Sequence, residues 1–275
     1  MSDPSASPAD NGVRTSIDNT PSNAVPTDVV MELATCPITP LGQKGGDYFF
    51  ISASGELRRM KAEALEAGRG VRALLSGYST VIDAWCLKNF PQKDGEWSPR
   101  LAGQWIIDQC NGLGVFDPGS ADIRAVGVWR DDDGKAIAHC GNQLVQPGGR
   151  SLVPAEYKGK TIMIGAAPIA PPDNTFIDPE EVEFLLSELK ALWGWKRDVD
   201  ADIFLGWVAA ASLGGFPAWR SHLYVYGSRG SGKSKLMEVA AGMLGEFGGS
   251  VLNDATEAGI RQSRNNQARP ILIDE

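Results

Sequence analysis

The run Gly227-Ser228-Arg229-Gly230-Ser231-Gly232-Lys233-Ser234 satisfies G-x-x-x-x-G-K-[ST] at every position. Its chemistry follows from its residue types. Glycines let the backbone turn so that successive N–H groups converge on phosphate oxygens at a helix N-terminus. Lys233 adds a cation for the β- and γ-phosphates, and the Ser234 hydroxyl suits Mg²⁺. Arg229, inside the loop, has two readings: approach to a phosphate, or projection into solvent. A second run, Ile271-Leu272-Ile273-Asp274-Glu275, is an apolar strand delivering two adjacent carboxylates, the form of a Walker B element. Asp274 is placed to hold Mg²⁺ through water. Glu275 is placed to polarise a water for in-line attack on the γ-phosphate. The bland alternatives are a glycine-rich turn and a buried strand meeting a solvated acidic end. An apolar strand before the loop, a helical pattern after it and the Walker B run downstream favour ATP and Mg²⁺ as ligands, with Lys233 and Glu275 catalytic.

These residues need elements to hold them. Leu223-Tyr224-Val225-Tyr226 reads as a buried strand feeding the loop, and the pattern from Lys233 to about Leu244 predicts the helix that follows. Ser250 to Asn253 reads as the next strand. Thr256 is a candidate cap for a helix to about Asn266, and Pro270 precedes the final strand. Ahead of the loop, Asp178 is a good N-cap, Pro179 suits the first helical position and Glu181 completes a capping-box pattern. That helix is expected to reach about Trp195. A more apolar one covers Ala201 to Leu213 and stops at Gly214-Gly215. The implied fold is α/β: a parallel sheet, incomplete here, with helices on both faces.

Upstream the pattern changes. Residues 1–30 are rich in Ser, Pro, Asp, Asn and Thr and carry few large apolar groups, which predicts a disordered tail. Residues 31–170 read as a mixed α+β accessory domain. Asp47 to Ser52 and Glu56 to Met60 form an expected hairpin, followed by a helix from Lys61 to Leu75. Pro99 to Cys110 reads as a helix with Leu101, Trp105, Ile106 and Gln109 on one side. Gly127 to Arg130 and Ala136 to His139 flank Asp131-Asp132-Asp133-Gly134. That acidic run lacks the alternating spacing of a metal loop, so a hairpin turn is the better reading. Leu144-Val145 and Thr161 to Ile164 are further strand candidates. Pro168, Pro171 and Pro172 mark the boundary, with residues 171–275 as the nucleotide-binding part.

Other candidates are weaker. Arg261, Arg264 and Arg269 lie among Gln and Asn residues. They suit DNA phosphates or a neighbouring subunit's nucleotide, but a solvated helix and loop is the favoured reading. His139 and His222 read as packed or half-exposed side chains rather than ligands. Trp193, Trp195, Trp207 and Trp219 read as core packing in preference to base stacking. Cys36, Cys86, Cys110 and Cys140 form no C-x-x-C pair, so no zinc pattern exists, and scattered cysteines fit a reducing cytoplasm. The net charge is −8, so any nucleic-acid contact must rest on a local basic patch. No stretch approaches the length of an apolar membrane span, and no signal peptide is expected at the N-terminus.

The stretch from about Asp202 to Glu275 resembles the ATPase part of phage and mobile-element replication proteins of the primase–helicase type. The matching features are an apolar helix leading into a strand and a G-S-x-G-S-G-K-[ST]-like loop, then Met243-Leu244-Gly245. Ala255 to Arg261 matches an A-T-x-A-G-I-R segment, and Pro270 to Glu275 a P-I-L-I-D-E Walker B. Pro40-Leu41-Gly42, Tyr48-Phe49-Phe50, Gly55-Glu56-Leu57, Val126 to Trp129, Asp133-Gly134 and His139 to Asn142 resemble the accessory region of the same proteins. The resemblance implies a P-loop NTPase core in a replicative helicase, a homo-oligomeric ring that moves on DNA. Two departures stand out. No primase active site is recognisable upstream. The chain stops at Walker B, before the sensor strand and arginine finger, so it is expected to be the front part of a motor. The alternatives are a non-catalytic DNA- or partner-binding adaptor, and a defence or packaging ATPase.

Overall fold

The computed structural model describes residues 36–75, 80–173, 175–248, 251–253 and 255–274. The expected tail at residues 1–30 and Glu275 lie outside the described residues.

A three-stranded antiparallel sheet opens the fold: β1 (Thr39–Lys44), β2 (Asp47–Ile51) and β3 (Leu57–Lys61). The predicted hairpin is β2–β3, with Ile51 opposite Leu57. The single helix expected from Lys61 to Leu75 is two, α1 (Ala62–Glu66) and α2 (Arg69–Leu75). Gly68, at φ +71°, breaks it, because a left-handed residue cannot continue a right-handed helix. α3 (Thr80–Asn89) and α4 (Pro99–Leu113) complete this half. Ser98 caps α4 by accepting from the Leu101 N–H at 3.3 Å, and Pro99 takes the first helical position. The buried side of α4 is Ala102, Gly103, Ile106, Ile107 and Cys110. The periodicity predicts Leu101 and Gln109 on the buried side, but both are exposed and the buried face lies one residue further on. Tertiary contacts favoured the small residues because Gly103 lets the helix lie directly on the Leu65 carbonyl. Phe50, Leu65, Val71, Cys86, Ile106 and Cys110 close one hydrophobic cluster. Full burial of a side chain such as Phe50 contributes about 2–3 kcal/mol.

A second sheet of four antiparallel strands follows, in the order β5-β6-β7-β8: β5 (Gly127–Arg130), β6 (Ala136–His139), β7 (Leu144–Val145) and β8 (Ser151–Leu152). Short β4 (Ile123–Arg124) and β9 (Ile162–Met163) pair in parallel beside it. The acidic run is the predicted turn. Asp131 accepts from the Lys135 N–H at 2.7 Å and Asp132 from the Lys160 N–H at 2.8 Å, so these carboxylates hold loops together.

His139 is fully buried on β6. Its Nδ1 accepts from the Gly141 N–H at 3.1 Å and its Nε2 has no partner among the described residues. Burial lowers its pKa from 6.5 to about 4. The unfolded chain therefore takes up a proton that the folded chain refuses. Stability should be complete above about pH 6.5 and fall by roughly 3 kcal/mol as the pH drops toward 4. Urea unfolding at pH 7 and pH 4.5 reads this directly, and a His139→Gln chain should lose that part of the slope. Burial also raises the thiols: Cys86, with the Asp83 carboxylate adding to the effect, to about 12, and Cys140 to about 11. They are packing groups, not nucleophiles.

The last third is α5 (Pro179–Leu192), α6 (Val199–Ser212), α7 (Lys233–Gly248), β10 (Val251–Asn253), α8 (Glu257–Ser263) and β11 (Leu272–Asp274). Asp178 caps α5 through the Glu180 N–H at 3.0 Å, and Thr256 caps α8 through the Gly259 N–H at 3.1 Å. α5 stops at Leu192 rather than Trp195, and α8 at Ser263 rather than Asn266. The regular part of α7 ends at Gly245, whose φ of +54° breaks the helix one residue past the predicted end. Leu189, Phe204, Val208, Leu236, Ala240, Leu244 and Leu272 form the cluster these elements share.

The sheet expected here is reduced to one parallel pair, β10–β11, with Val251 opposite Leu272 and Asn253 opposite Asp274. Leu223 to Tyr226 is not a strand. Its alternation survives: Leu223 and Val225 pack on the cluster, while Tyr224 and Tyr226 are 82% and 76% exposed. A strand needs a hydrogen-bonded neighbour to complete its ladder, and among the described residues no strand pairs with this segment. Helices on both faces are likewise not what the pair has. Leu272 turns into the core against α7, whereas Ile273 is exposed.

Candidate functional site

α7 places the loop. Residues 227–231 are exposed, and Lys233 is half-buried at the first helical position. Gly230 and Gly232 take φ +80° and +85°, the left-handed turns that Cβ-bearing residues avoid. The Ser231 N–H donates to the Ser228 carbonyl at 3.3 Å, closing a tight turn, and the Leu236 N–H donates to Gly232 as the first helical bond. The N–H groups of Lys233, Ser234 and Lys235 have no acceptor among the described residues, as the first turn of a helix dictates. That turn carries no acidic side chain. Its positive end is therefore free to meet an anion.

Lys233 Nζ donates to the carbonyls of Gly227 and Ser228, both at 3.0 Å. The ammonium thus sits over the mouth of the loop and bridges its start to the helix. Ser228, Arg229, Gly230 and Ser231 point to solvent around it, and Ser234 is exposed on the next step of the helix. Arg229 is exposed, a position open both to solvent and to a phosphate at the loop.

Trp193 follows α5, and its indole N–H donates to the Gly232 carbonyl at 3.1 Å, holding the loop from behind. No local sequence signal marks this role, since the two residues are 39 positions apart. Trp195 donates to the Leu189 carbonyl and Trp207 to that of Ser221. These three tryptophans are half-buried packing groups with satisfied N–H donors, and Trp219 is exposed.

A cleft of about 950 Å³ separates residues 219–227 from residues 268–274. Gly227, Lys233 and Asp274 are all among its lining residues. The fold thus brings one end of the glycine loop and the first carboxylate of the second run to a single cleft. Tyr224, His222 and Arg269 line it too. His222 is exposed, more so than its strand-like surroundings implied.

The arginines divide. Arg261 pairs with Glu257 at 2.6 Å on the exposed side of α8, as a solvated helix predicts. Arg264 and Arg269 are half-buried and depart from that reading. Arg269 donates to the Glu246 carbonyl. Desolvation lowers the pKa of both, and the Arg269 charge adds to the effect on Arg264.

The donor set fits an oxyanion: unpartnered amides, one cation and glycines that leave room for a close approach. Among the described residues no three His, Cys, Asp or Glu side chains gather. A divalent cation here would be of the Mg²⁺ kind, held by one hydroxyl, one carboxylate, phosphate and water. Comparison with protein-family models and with curated proteins finds no match. Among the described residues no helix is long and apolar enough to cross a membrane.

Proposed function

We propose that this chain is the ATP-binding part of a phage-like DNA replication helicase built on a P-loop NTPase core. The single observation carrying the nucleotide reading is that Gly227, Lys233 and Asp274 meet in one cleft at a helix N-terminus whose amides lack acceptors. The resemblance of Asp202 to Glu275 to replication ATPases supplies the helicase part of the reading, and with it a homo-oligomeric ring on DNA in the cytoplasm.

The residues divide the work. Amides of Gly230, Gly232, Lys233 and Ser234 receive the phosphates. Lys233 exchanges its two carbonyl acceptors for phosphate oxygens, so the loop loses two internal bonds and gains charge-assisted ones. Ser234 and Asp274 would hold Mg²⁺, which when bound supplies positive charge to the phosphates. Glu275, next to Asp274 in sequence, takes the role of orienting the attacking water. Trp193 keeps the loop from lifting off its helix.

Single-turnover hydrolysis of ATP, with and without single-stranded DNA, tests the enzyme reading. The expected result is Mg²⁺-dependent hydrolysis faster with DNA. ATP binding with no hydrolysis in any condition would favour the adaptor.

A further inference from the structure

The two segments that carry the nucleotide chemistry are both fastened, just upstream of their motifs, to one strand of the accessory half. β5 pairs with β6 through one edge. Its other edge, with the two residues before it, meets two segments of the last third of the fold. The Ala125 N–H donates to the Asn266 carbonyl at 2.6 Å, and the Ala268 N–H to the Val126 carbonyl at 3.0 Å. Gly127 and Ala268 form a parallel bridge. The Gly215 N–H donates to the Val128 carbonyl at 2.7 Å, and Arg130 donates to the Phe216 carbonyl at 3.1 Å while stacking 4.7 Å from its ring.

The fit at Ala268 is tight from three sides. A Cβ on Gly127 would lie 2.7 Å from that of Ala268, one on Gly214 would lie 2.2 Å from the Ala268 carbonyl oxygen, and one on Gly215 would lie 3.1 Å from the Ala268 Cβ and 2.6 Å from the Trp129 ring. Gly127 and Gly214 also stand at φ +143° and +51°. Ala268 itself is 1% exposed. Three glycines thus converge on one alanine, and a Cβ on Gly127 or Gly214 would collide with it.

Downstream of Ala268 the chain passes Pro270 and reaches β11 and Asp274. Downstream of Gly215 it reaches the glycine loop. The glycine loop has its own anchors in α7 and Trp193, whereas Asp274 ends a strand whose one ladder partner among the described residues is β10 and whose Leu272 alone turns into the core. Resting on the nucleotide reading above, we infer that the Gly127–Ala268 junction is a positioning device. The accessory half, through Ala268 on one segment and Arg130 on the other, fixes Asp274 relative to the glycine loop.

The test compares nucleotide binding with and without the metal. The full chain is titrated with a fluorescent ATP analogue in EDTA and in Mg²⁺. The wild type should bind in EDTA through the loop amides and Lys233, and tighter in Mg²⁺. Ala268→Leu pushes residue 268 away from Gly127. It should leave binding in EDTA within about twofold and reduce the Mg²⁺-dependent tightening about tenfold, since a displaced carboxylate no longer reaches the ion. Arg130→Met removes an exposed hold on Phe216, spares the fold, and should reduce the tightening about threefold. If Ala268→Leu does not fold, Arg130→Met decides alone. Wild-type tightening in folded variants would overturn the inference. Equal loss with and without Mg²⁺ would overturn it as well, because that marks general loosening and not displacement of Asp274. A wild type that binds in neither condition would instead sink the nucleotide reading itself.

Discussion

Lys233→Ala should abolish ATP binding, with affinity lowered at least about a hundredfold. The ammonium is half-buried over the loop and touches no carboxylate among the described residues; its partners are two backbone carbonyls. Water can replace it at those carbonyls, because Gly227 and Ser228 are both exposed. Stability should therefore change by less than about 0.5 kcal/mol. Water cannot replace it against a triphosphate. Lys233→Arg should not restore binding, because the planar fork is longer and wider than the point charge the loop encloses. Equilibrium titration alongside a thermal melt separates the two effects. Unchanged affinity in the alanine variant would refute the assignment.

Gly103→Val should prevent cooperative folding of the accessory half. On α4 a Cβ at this position would lie 2.1 Å from the Leu65 carbonyl oxygen and 3.2 Å from Val71. The first neighbour is backbone, so no side chain can swing aside. α1 and α4 would have to separate around Leu65, Val71 and Ile106, all at the centre of the first cluster. The cost is about 3 kcal/mol or more, a large share of the stability of a domain this size. Chemical denaturation monitored by tryptophan fluorescence measures it, since Trp85, Trp97 and Trp105 belong to the same cluster. Gly112, on the same helix with open space at its Cβ, provides the control: Gly112→Ala should be neutral or stabilising.

What was legible in the sequence is what depends on neighbours in sequence. Caps at Ser98, Asp178 and Thr256 are local hydrogen bonds, and two of them, Asp178 and Thr256, were readable as helix starts. The β2–β3 and β5–β6 hairpins were readable for the same reason, since turn residues and alternation lie within a dozen positions. The helix after the glycine loop and its end near Gly245 were also plain.

What failed depends on distant partners. Tyr224 and Tyr226 alternate with Leu223 and Val225 as a strand should, but a ladder requires a second chain segment, and alternation cannot announce whether one is there. Leu101 lies on the expected side of its helix by period alone; the Gly103–Leu65 approach rotated the buried face. In the site, the glycine loop and Asp274 were legible from motif. Trp193 was not, because its hydrogen bond joins residues that only the packing of α5 against α7 brings together. The Gly127–Ala268 junction was equally hidden. Its glycines look like ordinary turn residues until the opposing alanine is in place.

The central claim is that amides at the start of α7 cradle phosphate and that Asp274 completes the metal site across the cleft. Backbone amide shifts of the full chain, recorded by NMR during titration with ATP and then with Mg²⁺, test it most directly. The account predicts large shifts at Gly230, Gly232, Lys233 and Ser234 on adding ATP, with Asp274 moving only once Mg²⁺ is present. Shifts confined to other residues, or an unmoved loop at saturating ATP, would contradict it.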